Sequence, residues 1–194
     1  MEPFKGSFSE YGHLFLIDAE HYEEFCQHLT VVTIKKSTFF LEQDQFCDFL
    51  GFLDGGMLRS YYINDRGEDI NFNFHMRGSF FSDYESLILG KKTMINIKAC
   101  MDSKIILLNK KDLNNLYKKD PYWQEFGRKM AEVIYLQVKK RMEELLCLSP
   151  EKRFNRLLFE NPEIFQLVAQ KHIASYLGVR PQSLSRLRTR ILKR

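Results

Sequence analysis

The sequence predicts an α+β chain in three parts: an N-terminal antiparallel β-roll of jelly-roll type over residues 1–120, a long connecting helix over 121–148, and a helical unit over 149–194 that ends in a helix-turn-helix. Three observations predict it. Short aromatic and β-branched runs recur between turn signals from Val31 to Leu108, an unbroken helical pattern follows Asp120-Pro121, and the stretch from Gln170 to Arg194 combines a small-residue turn with basic charge.

Residues from about Ser9 to Leu29 read as one or two short helices, with Leu14, Phe15, Ile17, Tyr22, Phe25 and Leu29 available to bury. The texture then changes. Val31–Ile34, Phe39–Leu41, Cys47–Leu53, Met57–Ile63, Asp69–His75, Thr93–Ala99 and Lys104–Leu108 are separated by turn signals at Asp54-Gly55-Gly56, Asn64-Asp65-Arg66-Gly67, Arg77-Gly78 and Gly90. Strands this short and this closely spaced argue for an antiparallel roll rather than a parallel sheet. Ile70, Phe72 and Phe74 alternate with Asn71, Asn73 and His75, the mark of a strand with one buried face.

From Tyr122 to Cys147 the apolar residues fall on two lines. Phe126, Met130, Val133 and Leu136 form one; Gly127, Ala131, Ile134, Val138, Met142 and Leu145 form the other, at spacings of three and four. One line can face the roll and the other a second copy of the chain, and the Gly127–Leu145 line is the predicted dimer interface. Ser149-Pro150 then punctuates the chain, a short helix covers Glu151–Glu160, and the hinge lies near Leu148.

The last stretch has the residues a helix-turn-helix needs. Ala174 is small where two helices touch, Gly178 can take positive φ, Val179 plugs the turn, and Pro181 sits at the first position of a second helix, where its missing N–H costs nothing. Ile173 and Leu177 give the first helix an inward face; Leu184, Leu187 and Ile191 do the same for the second. The opposite face carries Gln182, Ser183, Arg186, Thr189, Arg190 and Lys193. From Leu167 onward there are seven Lys or Arg and no acidic residue, although the whole chain carries only +4. A phosphate backbone is the expected partner.

Charge and composition exclude several other functions. Cys26, Cys47, Cys100 and Cys147 are scattered without a CxxC, so neither zinc nor an iron–sulfur cluster is expected. His75 alone cannot make the converging metal set of a cupin enzyme, and no P-loop, nucleophile elbow or paired catalytic carboxylates are present. No catalytic residue, metal ligand or cofactor is therefore predicted. The start has no basic n-region, and its longest apolar run, Leu14 to Ile17, is too short for a signal peptide or a span, which predicts a cytoplasmic protein that does not meet the membrane.

A roll, a long helix and a C-terminal helix-turn-helix in that order resemble the CRP/FNR family of bacterial transcription regulators over nearly the whole chain. The resemblance is most specific in HIASYLGVRPQSLSRLR, where the family has Ile-Ala or Ile-Gly, a Gly-containing turn and then Ser-Arg or Gly-Arg. GGMLRSYYINDRGEDI is similar to the family's strand, Gly turn and strand, and GSFFSDYESLILGKKTMINIKA to its cyclic-nucleotide phosphate-binding cassette. The short ending at Arg194, without room for a β-wing, resembles members found in Bacteroidetes.

The resemblance implies a homodimer on a near-palindromic double-stranded DNA site, with RNA polymerase as a further partner. Gln182 and Arg186 would read base edges, Gln through adenine and Arg through guanine O6 and N7. Ser183 and Gln170 would bond phosphates, with Arg180, Arg188, Arg190 and Lys193 adding charge, and Pro181 stands where some relatives have another base-reading Arg. The cassette departs from the nucleotide-binding pattern: aligned from Gly78, Ser82-Asp83 replaces Gly-Glu and Thr93-Met94 replaces Arg-Ser. The candidate effector pocket is thus Ser82, Asp83, Tyr84, Thr93 and Met94, and a phosphate there would lack its bidentate cation. Lys91 and Lys92, after Gly90, read as solvated, so cyclic AMP is not expected to be a tight ligand. Two other readings stand beside this one: a sensor whose unidentified small molecule controls DNA binding, and an interaction module that binds nucleic acid without sequence preference.

Overall fold

A computed structural model describes residues 17–192. Among the described residues eight strands make two four-stranded sheets: β1 (Leu29–Ile34), β8 (Ser103–Asn109), β3 (Phe49–Gly55) and β6 (Phe80–Phe81) in one, and β2 (Phe39–Leu41), β7 (Ile95–Ala99), β4 (Met57–Ile63) and β5 (Asp69–Met76) in the other, each named in spatial order. The antiparallel register runs from Leu29 opposite Leu108 to Ile34 opposite Ser103, and from Phe49 opposite Asn109 to Gly55 opposite Lys104. The expected roll is present. β6 was not foreseen: its two phenylalanines pair with Gly51 and Phe52, and the Phe81 ring lies where a side chain on Gly51 would stand.

By contacts the described residues form two compact units, one reaching to Arg59 and resuming over Phe74–Tyr135, the other made of Ser60–Asn73 and the chain from Leu136 onward. The core of the first unit lies where α1 (Ala19–Gln27), α3 (Lys110–Lys119) and the first turns of α4 (Pro121–Cys147) cover the β1-containing sheet. Phe25, Leu50, Phe52, Ile106, Leu113, Leu116, Trp123, Phe126 and Met130 meet there, with Trp123 fully buried against Phe25 and Phe126. The part of the predicted early helix before residue 17 lies outside the described residues.

Two helices of the first unit escaped the sequence reading. α3 carries only Leu113, Leu116 and Tyr117 as apolar residues among its lysines and asparagines, yet Asn109 caps it by accepting from Asp112 N at 2.8 Å, and both leucines are buried. α2 (Tyr84–Leu89) begins at Asp83, whose side chain accepts from Ser86 N, and ends at Gly90 with φ +63°. The long helix expected from Tyr122 to Cys147 is α4, and Phe126, Met130 and Val133 are its buried line.

The second unit holds the later turns of α4, α5 (Pro150–Glu160), α6 (Ile164–Leu167), α7 (Gln170–Tyr176) and α8 (Pro181–Leu192). It also holds the outer part of the β4–β5 hairpin. Ser175 Oγ donates to Asp69 O at 2.7 Å and accepts from Asn71 N at 2.9 Å. That contact corrects the alternation read from β5: Ile70 is 42 % exposed whereas Asn71 is buried, and Phe74 and His75 are buried together. Asn71 is covered because its polar groups meet α7, a tertiary effect that hydrophobic alternation cannot register.

Candidate nucleic-acid interface and effector cassette

α7 and α8 are built by the residues that the sequence marks for a helix-turn-helix. Ile173, Ala174 and Leu177 on the α7 side pack inward with Leu184 and Leu187 of α8, all buried. Ala174 is fully enclosed, so a larger residue there has no space to enter. Gly178 takes φ +64°, and Val179 N returns to Ala174 O at 3.0 Å while Gly178 N meets Ser175 O, a turn that closes α7 with a left-handed residue. Pro181 then opens α8 at its first position, and Arg180 O accepts from Ser183 N and Leu184 N.

Leu184 and Leu187 are the two α8 side chains turned inward over Pro181–Arg190, and those between them point to solvent. Gln182, Ser183, Arg186, Arg188, Thr189 and Arg190 are all exposed, as are Arg180 and Pro181 before them and Gln170 at the start of α7. Gln182 and Arg186, four residues apart, share one helical face. Thr189 Oγ1 is turned back onto Ser185 O at 3.1 Å, and Arg190 approaches Glu151 at 3.5 Å, an exposed contact worth little. Gln170 and Arg188 flank a small depression with Phe165, Val168, Ile173 and Leu184. Lys193 lies outside the described residues. Such a surface can present amide and guanidinium groups to base edges from a rigid helix, with further cations beside them.

The cassette from Gly78 to Met94 is closed upon itself. Asp83 Oδ2 accepts from Thr93 Oγ1 at 2.5 Å, so the two positions at which the nucleotide-binding pattern has Glu and Arg are bonded to one another. Thr93 is fully buried, and its Oγ1 also accepts from Ile95 N at 3.1 Å. Ser82 Oγ donates to Phe49 O at 2.8 Å and touches Cys47 Sγ, while Ser86 Oγ bridges Lys91 O and Cys47 N. Lys91 pairs with Glu85 at 2.6 Å and Lys92 is exposed. Met94 is 56 % exposed, and Tyr84 lines a different cavity of about 470 Å³ with Asn114, Tyr117, Lys118, Gln124, Gly127 and Arg128. Of the five candidate pocket residues, Asp83 and Thr93 are hydrogen-bonded to one another, while Ser82 turns to Phe49 O.

Burial shifts several other titratable groups of the roll. His75 is buried beside Phe81, and desolvation brings its pKa down to about 4, so it is neutral at pH 7. Burial likewise pushes the Cys47 thiol up and Cys100 up to about 11. Among the described residues no group of three or more His, Cys, Asp or Glu could hold a metal ion, and no helix is long and apolar enough to cross a membrane.

On α4 the predicted seam divides. Val138, Met142 and Leu145 are exposed, Ala131 and Ile134 are half-buried, and Gly127 is buried, with the Tyr117 ring filling the space a side chain would need. Tyr135 and Leu146, not chosen from the sequence, are 66 % and 76 % exposed.

Residues 31–120 match the family described as the cyclic nucleotide-binding domain. No curated protein matches the sequence. FixK2 from Bradyrhizobium japonicum shares the fold at TM-score 0.70 and 18 % identity, over 85 % of each chain. A protein from Eubacterium rectale described as a transcriptional regulator of the CRP/FNR family superposes at TM-score 0.69 and 17 % identity, over 88 % of this chain and 82 % of that one. The catabolite activator protein of Thermus thermophilus spans 100 % of this chain and 87 % of its own at TM-score 0.59 and 14 % identity. The fold that the sequence resemblance implies is therefore the fold observed.

Proposed function

We propose that this chain, whose roll is similar to the cyclic nucleotide-binding domain and whose fold is shared with CRP/FNR regulators, is a homodimeric, sequence-specific DNA-binding regulator of transcription. Functionally it divides into a roll over 1–120, a dimerisation helix over 121–148 and a DNA-binding unit over 149–194. The observation that carries this reading is the outward face of α8, where Gln182 and Arg186 stand exposed on a helix anchored by Leu184 and Leu187. Two such helices, related by a two-fold axis through the exposed apolar line of α4, would enter successive major grooves about one helical turn apart. Arg180, Arg188 and Arg190 supply the charge that holds the phosphates, and RNA polymerase is the further partner this reading implies in the cytoplasm.

Cyclic AMP is not the effector in this reading. The pair of half-buried Asp83 and buried Thr93 offers a cyclic phosphate a carboxylate and a hydroxyl in place of a guanidinium, and an anion drawn out of water without a cation is disfavoured. The test is selection of bound sequences from a random duplex library at physiological salt. The expected result is an enriched near-palindrome, unchanged when cyclic AMP is added. Salt-sensitive binding with no enriched sequence would support the interaction-module reading instead, and enrichment that depends on cyclic AMP would overturn the reading of the cassette.

A further inference from the structure

The end of α4 and the end of α7 are held by the same side chain. A helix leaves its last carbonyls without intrahelical donors, and a buried carbonyl left unpaired is costly. Arg153, on the first turn of α5, turns back and donates through Nη1 to Leu148 O at 2.5 Å, Leu145 O at 3.2 Å and Glu144 O at 3.4 Å. Its Nε donates to Leu177 O at 3.0 Å, the carbonyl that precedes the Gly178 turn. The side chain is buried, and its hydrogen bonds all go to main-chain oxygens. Arg141, one turn earlier on α4, lies over the Tyr176 ring at 3.7 Å, donates to Tyr176 O, and pairs with Glu144 at 3.3 Å. Glu144 also meets Arg156 of α5 at 3.3 Å.

Two guanidinium groups thus grip the backbone of residues 176–177 from one side and the turns of α4 that expose Val138, Met142 and Leu145 from the other. Gly178 adjoins this grip: a Cβ there would stand 3.6 Å from Arg153 Nη2 and 3.5 Å from Leu145 Cδ2. A planar fork with several donors in fixed directions can join the two helix ends, and the single point of a lysine ammonium cannot reproduce that geometry.

We propose that Arg153, supported by Arg141, is a positioning residue that locks α7 and α8 onto the last turns of α4, so that pairing of two copies through α4 fixes the distance between their two α8 helices. This rests on the dimeric DNA-binding reading above. Arg153 reads no base; it determines which half-site spacing the dimer accepts.

The test uses full-length protein and the palindrome enriched by the wild type, in three duplexes: intact, with two base pairs inserted at the centre, and with one half-site scrambled. Wild type should prefer the intact spacing by about tenfold or more, and Arg153→Gln should reduce that preference to about twofold while changing affinity for the single half-site by less than about twofold. Arg153→Lys should fall between them. Retention of the wild-type spacing preference by Arg153→Gln would overturn the proposal, as would an equal loss on all three duplexes, which would mean that the residue only keeps the unit folded. Should the wild type enrich no sequence, the DNA-binding reading fails, and the clamp is judged alone by amide exchange. Exchange at Leu177–Val179 that is about tenfold faster in Arg153→Gln, with β3 and β8 unchanged, supports it; unchanged exchange overturns it.

Discussion

His75 is the residue whose environment has the clearest measurable consequence. Its folded pKa of about 4 lies below the ordinary 6.5, so the unfolded chain takes up a proton at a pH where the folded chain does not. The sign follows: the folded state suffers no penalty above pH 6.5, loses stability as pH falls from 6.5 toward 4, and loses no more from this group below that. The full window amounts to about 3 kcal/mol. Denaturant titrations at pH 7 and pH 4.5 should show this loss in wild type and a smaller one in His75→Gln, and identical pH dependence in both proteins would contradict it. The sequence could not disclose this, because a histidine alternating with phenylalanines on a strand reads the same whether its own face is solvated or covered. Gly178 and Ala174 were legible for the opposite reason: a left-handed turn and a close helix crossing each admit very few residue types, so the residue itself reports the geometry.

At the scale of elements, α4 carries two apolar lines, and the question is which one is left for a partner. Phe126, Met130 and Val133 are buried within the first unit, while Tyr135, Val138, Met142, Leu145 and Leu146 remain exposed on later turns. If the proposed dimer pairs through this line, replacing Val138 and Met142 together by Glu should leave the roll folded and weaken association by about 10- to 100-fold, giving monomer at micromolar concentration by sedimentation velocity. An unchanged dimer mass would place the interface elsewhere. Periodicity made both lines visible in the sequence, but it could not tell that Gly127 makes room for Tyr117, since a small residue suits any close approach. α3 and β6 were invisible for a different reason. One buries only two leucines behind a polar cap, and the other is two residues long, so neither generates a period.

At the scale of the molecule, charge and chemistry are separated along the chain. The stretch after Leu167 is wholly basic in its charged residues, whereas the cassette of the roll is closed by an acid and a hydroxyl. The order of roll, long helix and further helices was legible because each part has its own period and turn chemistry. The closed cassette was only half legible: substitution of the expected Arg was plain, but the bond between Asp83 and Thr93 depends on a fold that brings them together. The proposed DNA recognition rests on α8 reading bases, through Arg186 above all. The most direct measurement is the binding-site profile of Arg186→Ala beside that of wild type. If Arg186 reads a base, preference disappears at one base pair, repeated symmetrically in both half-sites, with a loss of about 1 to 3 kcal/mol on the best site. A profile unchanged at every position, with affinity lowered equally for all sequences, would contradict it.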